Sequence, residues 1–395
     1  MQPLTAAGRP RGARGRWIWR LTGVATVVVL AVAGTVAFVN AGNTSGGSLI
    51  QPVPASRIVT VPGTVTSVAV SSYGGSIQVI RGPVARVTVA EAVLYDTQSG
   101  PPAVTAKVSH GALTLGAPAC ANTGCTVGFT VTVPAAVAVS AASEGGDISV
   151  SGATAAELDS GGGAVSARDV QGPLSVTSDD GDITASAAGS ANLDSGGGTI
   201  TASAVQGSLM ATSDDGNITA SGAGSANLDS GGGTITARGI RGSFIAASDN
   251  GNITVTDAAG AELDSGGGAV IASQIDGPLI ATTDLGSLRL TGLTGSLTAD
   301  TGGGPLSAVG VEAPTTRVTT DDGSLSLEFS TDPQAVQVST GGGPADIELP
   351  GGPYAVSAQT VGGPEDVSVP TSPTAVRTIT AGTDGGDLRI TPAAG

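Results

Sequence analysis

The sequence predicts an all-β protein, a parallel β-solenoid of 17–18 residues per coil preceded by one N-terminal transmembrane helix. Three observations carry this. An aliphatic residue recurs at Ile148, Val165, Ile183, Ile200, Ile218, Ile235, Ile253, Val270, Leu288, Leu306 and Leu325, at spacings of 17 to 19 residues. Glycine stands two places before each of them, as at Gly146, Gly163 and Gly181. The windows between are rich in Gly, Val, Ile and Thr, which disfavours helical coils and suits strands.

Composition supports the same reading. The 395 residues include 63 Gly and 22 Pro, a bias that would fit a disordered chain. Strict periodicity and 40% hydrophobic content oppose disorder. Aromatics are only 2%, so the interior must be packed with small aliphatics.

The elements run in order from the N-terminus. Residues 1–20 form a basic cytoplasmic tail with Arg9, Arg11, Arg14, Arg16 and Arg20 and no acid. Residues 21–39, LTGVATVVVLAVAGTVAFV, carry no charge and at about 1.5 Å per residue nearly span a bilayer core. The arginines in front set an N-in, C-out orientation, with Trp17 and Trp19 at the interface. The alternative is a signal peptide cleaved near Ala41; both readings export the rest of the chain. Residues 40–57 are a Gly/Ser/Pro linker. Residues 58–138 read as an irregular β region that opens and caps the stack, with one early coil signal at Tyr73-Gly74-Gly75-Ser76-Ile77. The array proper is 139–395. Within it LDSGGG turns recur every 35 residues, at 158–163, 193–198, 228–233 and 263–268, so 158–297 is built of 35-residue double coils. Side chains alternate along each coil. Leu193, Ser195, Ile200 and Ala202 point inward, while Asp194, Thr201 and Ser203 face water. The recurrent glycine is expected to supply a positive φ at one corner.

Charge narrows the partners. After residue 20 the chain carries 11 basic and 32 acidic side chains, which disfavours nucleic acid. Cys120 and Cys125 enclose a four-residue turn in an exported segment, and a local disulfide is expected.

Three constellations invite chemistry. Asp194, Asp229 and Asp264 share one coil position, and Asp179, Asp214 and Asp249 an adjacent one in the alternate coils. Stacked, they read either as turn residues bonding to backbone or as candidate calcium ligands; no other cofactor is expected. The same carboxylates could be glycosidase acids, but an active site should break the repeat and none does. A Ser/Thr column that includes Ser143, Ser160, Ser178, Ser195, Ser213 and Thr283 lacks a nearby base, and reads as hydroxyls hydrogen-bonding along an inner corner. No catalytic residue is assigned.

The segment VTVPAAVAVSAASEGGDISVSG (131–152), followed by rounds of S-x-x-G-[DN]-I-[TS], resembles the bacterial DUF4097 family across about 58–390. The resemblance implies a right-handed β-helix-like domain, often behind one membrane span, with an adhesin-like role and no catalytic residues to carry over. Function is therefore expected to be that of a membrane-anchored, adhesin-like structural or binding module outside a bacterial cell. Its partners would be cell-wall polymer or another envelope protein. An accessory or sensor role in envelope-stress signalling is the alternative, and a polysaccharide-active enzyme the third reading.

Overall fold

The structure is a computed structural model that describes residues 52–96, 100–117 and 125–393. The expected tail, the 21–39 span and the residues around the cleavage site at Ala41 lie outside these. Among the described residues no helix is long and apolar enough to cross a membrane.

The described chain is an all-β parallel solenoid. Each central coil contributes one strand to each of two long ladders. The first ladder is made of strands that end on the Ser/Thr column, such as Ser208–Ser213, Ser225–Ser230 and Phe244–Ser248. The second is made of strands that begin on the aliphatic anchor, such as Ile200–Ser203, Ile218–Ser221 and Ile235–Ile240. Anchors pair with anchors and serines with serines, so every inward side chain stacks on its counterpart one coil away. Past the second ladder the chain turns inward once more and buries a third aliphatic row that includes Val170, Val205 and Ile240.

Large and small residues alternate along the interior. In the first ladder the stacked series Leu174, Ala191, Leu209, Ala226, Phe244, Ala261 and Leu279 is buried throughout. Two places on, the phase is inverted: Leu193, Ala211, Leu228, Ala246 and Leu263. Leu174, Leu209, Leu228 and Leu263 thus each lie between two alanines of their own row, large against small in the narrow interior. This is the physical origin of the 35-residue period. One coil is a packing half, and two make the unit.

The corner glycines do not do what the sequence suggested. None of Gly146, Gly163, Gly181 or Gly198 has a positive φ. What each requires is room, because a Cβ on Gly198 would run into the carbonyl oxygen of Gly181 one coil back, and one on Gly181 into that of Gly163. Positive φ falls instead four residues after the anchor, at Gly152, Gly222 and Gly239, and even at Ala187 and Ala204. There the bend carries the chain from the second ladder to the third inward row.

Chain order and stack order part company at both ends. The coil built from Ser67–Ser72 and Ile77–Arg81 comes first in sequence but second in the stack. Ala112–Gly116 and Thr126–Val133 pack on one side of it, Ala138–Ser143 and Ile148–Ser151 on the other. At the far end the last coil, Thr378–Thr383 and Leu388–Pro392, is inserted between Ala335–Thr340/Ala345–Leu349 and Ala355–Thr360/Glu365–Val367. Neither the first nor the last coil in sequence is outermost.

Candidate functional site

The repeated corner gathers most of the polar side chains of the interior. Ser195 is buried; its Oγ accepts the N–H of Gly198 at 3.0 Å and donates to the carbonyl of Gly181 at 3.3 Å. Ser213, Ser230, Ser248, Ser265 and Thr283 repeat this bridge between coils. Further along, Thr301, Thr320, Thr340 and Thr383 donate to the glycine three residues on in their own coil. The hydroxyls therefore bond to glycine backbone rather than to one another. Among the described residues their hydrogen-bond partners are backbone groups. His110 lies in a hairpin turn, its Nδ1 2.9 Å from the exposed Ser109 hydroxyl.

The acidic columns lie outside this corner. Asp194 pairs in register with Thr177 and Thr212, and Asp229 with Thr212 and Ala247. Aspartates of this column are thus two coils apart, about 9.6 Å at the usual inter-strand spacing. Thr282, between Asp264 and Asp300, donates to Asp264 Oδ1 at 2.7 Å. In the turn column, Asp179, Asp214 and Asp249 alternate with glycine, and their main-chain carbonyls accept the N–H of Gly197, Gly232 and Gly267. Among the described residues no three His, Cys, Asp or Glu side chains converge to hold a metal. The Asp300 carboxyl is pushed up by burial and by Asp321 and Asp284, and pulled down by Arg317.

Sequence reasoning passed over a third set. Asp147, Asp182, Asn217 and Asn252 each accept, through Oδ1, the backbone N–H of the residue 17 places on, at 2.8–2.9 Å. Only a carbonyl-type oxygen is needed, so Asp and Asn interchange. Where serine occupies the position, at Ser287 and Ser324, the residue above is Pro305 or Pro344, which has no N–H to cap. The signal was the Gly-[Asp/Asn]-Ile rhythm itself.

Cys125 is disulfide-bonded. Cys120, the partner the sequence suggests, lies outside the described residues.

The outer face of the first ladder holds an open groove of about 710 Å³ over the N-terminal coils, lined in part by Ala69, Ser140, Glu157, Ser175, Asn192 and Met210. From Met210 at its edge (50% exposed), large apolar side chains stand out on every second coil, followed by Ile245 (39%) and Ile280 (44%).

The Toastrack DUF4097 family model matches residues 56–239. Over that span the chain is similar to the Toastrack DUF4097 family. The match ends at 239, and the coils run on in register from there to Leu293. Among solved structures, a candidate cell adhesion protein from Clostridium sporogenes is similar at 9% identity, covering 87% of this chain and 100% of its own, with a TM-score of 0.17. A candidate adhesin from Parabacteroides merdae gives 11% identity, 86% and 96% coverage and a TM-score of 0.23. A candidate lipid-binding protein from Parabacteroides distasonis gives 9%, 86% and 97%, with a TM-score of 0.20. Among curated proteins no sequence matches the chain.

Proposed function

We propose that the chain is a membrane-anchored, extracytoplasmic adhesin-like module whose solenoid presents long repeated faces to the cell envelope. The observation that carries this reading is the unbroken register of the central coils, in which polar residues at the corner are used up by backbone. A scaffold needs that regularity, whereas a catalytic centre needs a local departure from it. The uncharged stretch 21–39 behind five arginines supports the anchor.

A protein partner, as in an accessory or sensor role, is the second reading, favoured by the exposed Met210, Ile245 and Ile280 row. Capture of the full chain from cross-linked bacterial envelopes separates the two. Wall polymer recovered without stoichiometric protein supports the adhesin-like module. A single co-purifying membrane protein, lost on Ile245→Asp, replaces it with the accessory reading.

A further inference from the structure

The outer face of the second ladder differs in kind from that of the first. One outward position reads Ser149, Ser166, Thr184, Thr201, Thr219, Thr236 and Thr254 on successive coils, each in direct register with the next. Two residues along the same strands a second rank begins, with Ser186, Ser203, Ser221 and Thr256, interrupted by Arg168 and Arg238. No register shift occurs within these pairings. The two ranks form a lattice of hydroxyls about 4.8 Å apart along the axis and about 6.7 Å apart across it. Thr184, Thr201, Thr219 and Thr236 are exposed, and their hydroxyls make no hydrogen bond to the protein. Being β-branched, they are held to few rotamers, so methyl and hydroxyl repeat in a fixed orientation.

Strand propensity alone does not account for this. The same coils, in the same fold, present Asn192, Met210, Asn227, Ile245 and Glu262 in the equivalent row of the first ladder. Over the seven coils from Ser149 to Thr254 the first rank holds only Ser and Thr; beyond them it turns to Ile271 and Arg289, so the hydroxyl face is confined to that stretch.

The chemistry of the face selects its ligand. A hydrogen bond to a dissolved molecule replaces one to water and gains only about 1 kcal/mol net. A flexible ligand must also give up conformational freedom to line up with the ranks. Many weak contacts at one fixed pitch add up only when the ligand is already rigid at that pitch, as a crystal surface is. Neither rank contains an aromatic side chain, so the stacking platform that a sugar lattice exploits is missing. Methyl groups beside hydroxyls order water on their own account, and the spacing is comparable with the oxygen rows of hexagonal ice. We propose that this face binds ice. The proposal goes beyond the adhesin-like reading and is independent of how the chain is anchored.

The test uses the purified full chain, frozen slowly from dilute solution. Its partition into the growing ice is compared with that of an inert carrier protein, and its inhibition of ice recrystallisation is scored in parallel. Two bulky substitutions on the face, Thr201→Tyr with Thr219→Tyr, are set against Met210→Tyr on the other ladder; unchanged thermal melting confirms that each variant folds. The expected result is enrichment in ice about tenfold over the carrier, abolished by the double threonine variant and retained by Met210→Tyr. Exclusion of the full chain from ice, or equal loss in both variants, overturns the proposal. So does binding to insoluble cellulose or chitin that the threonine variant alone loses, without ice uptake; the face would then be a polysaccharide site.

Discussion

The middle of the solenoid and its two ends are held together by different means. In the middle, coil follows coil in chain order, and each is fixed by contacts its neighbours repeat: glycine on glycine, serine to glycine, leucine between alanines. At the ends the order is permuted and individual side chains take over. The N-terminal end is closed by antiparallel strands, with Thr105–Ser109 on Ala112–Gly116 and both Thr88–Asp96 and Pro52–Thr60 beyond Thr126–Val133. Glu91 is buried among these strands, opposite Arg57 and Phe129. The C-terminal end has no antiparallel cover among the described residues. There the Tyr354 hydroxyl donates to Asp332 Oδ1 at 2.9 Å and to the Pro350 carbonyl, and Arg377 pairs with Asp332 at 2.9 Å. This ties together the loops on either side of the inserted coil. Repetition secures the middle cooperatively, whereas the ends depend on a few irreplaceable groups.

The sharpest way to break this comparison is at a central corner. Gly198→Ala puts a Cβ into the Gly181 carbonyl and should cost about 3 kcal/mol or more, read as a fall in the denaturation midpoint. Gly303→Ala, with open space around its Cβ, should cost under about 0.5 kcal/mol. Equal effects would mean that close backbone stacking does not set the corner.

The packing phase ranks second. Leu209→Ala combined with Ala211→Leu conserves composition and volume, yet it wedges the larger side chain between Leu193 and Leu228. A loss of about 2–4 kcal/mol is expected despite the conserved volume. A neutral result would show that only total volume matters.

Smaller effects belong to the ends. Tyr354→Phe removes a donor to a charged acceptor and should cost about 1.5–3 kcal/mol, with faster amide exchange confined to residues 355–392. Burial and Asp332 push the Tyr354 hydroxyl above its ordinary value near 10, while Arg377 pulls it down. The folded chain therefore holds that proton longer than the unfolded one, so stability is intact below about pH 10 and falls as pH rises above it. The phenylalanine variant should lose that alkaline slope. Glu91 is also pushed up, by burial, with Arg57 opposing. Its charged form is the disfavoured one, so stability should decline as pH rises from its ordinary value of 4.5. Glu91→Gln should flatten that decline and melt slightly higher at neutral pH.

Much of the central array was legible in the sequence, because its signals are local and repeated. The inward phase of Leu193, Ser195, Ile200 and Ala202 is seen in the structure, with all four buried. The role of the corner glycine was not legible. A glycine selected for close approach looks the same in sequence as one selected for positive φ, and the residue it must avoid lies one coil away. The bends at Ala187 and Ala204 left no mark either, since alanine seldom signals that backbone region. The permuted ends were hidden for a related reason: spacing gives the period of a stack but not the order in which its layers are laid. Of the acidic residues, Asp194 and Asp179 drew attention through their regular recurrence. Asp182 and Asn217, which tie coil to coil, were masked by their interchange.

The inverted rows of leucine and alanine carry a consequence for how such a rod changes length. Removing or inserting a single coil would bring leucine against leucine and alanine against alanine at the junction. Between Leu174 and Leu279 a 35-residue segment, by contrast, leaves both rows matched, whereas one coil further Leu279 already meets Leu297 and Ala281 meets Ala299. Length therefore has an even-numbered grammar. Within the alternating stretch, gene duplication and slippage can extend or shorten this solenoid in double steps while an odd step is penalised at the seam, which makes the length of that stretch an adjustable trait with a fixed increment.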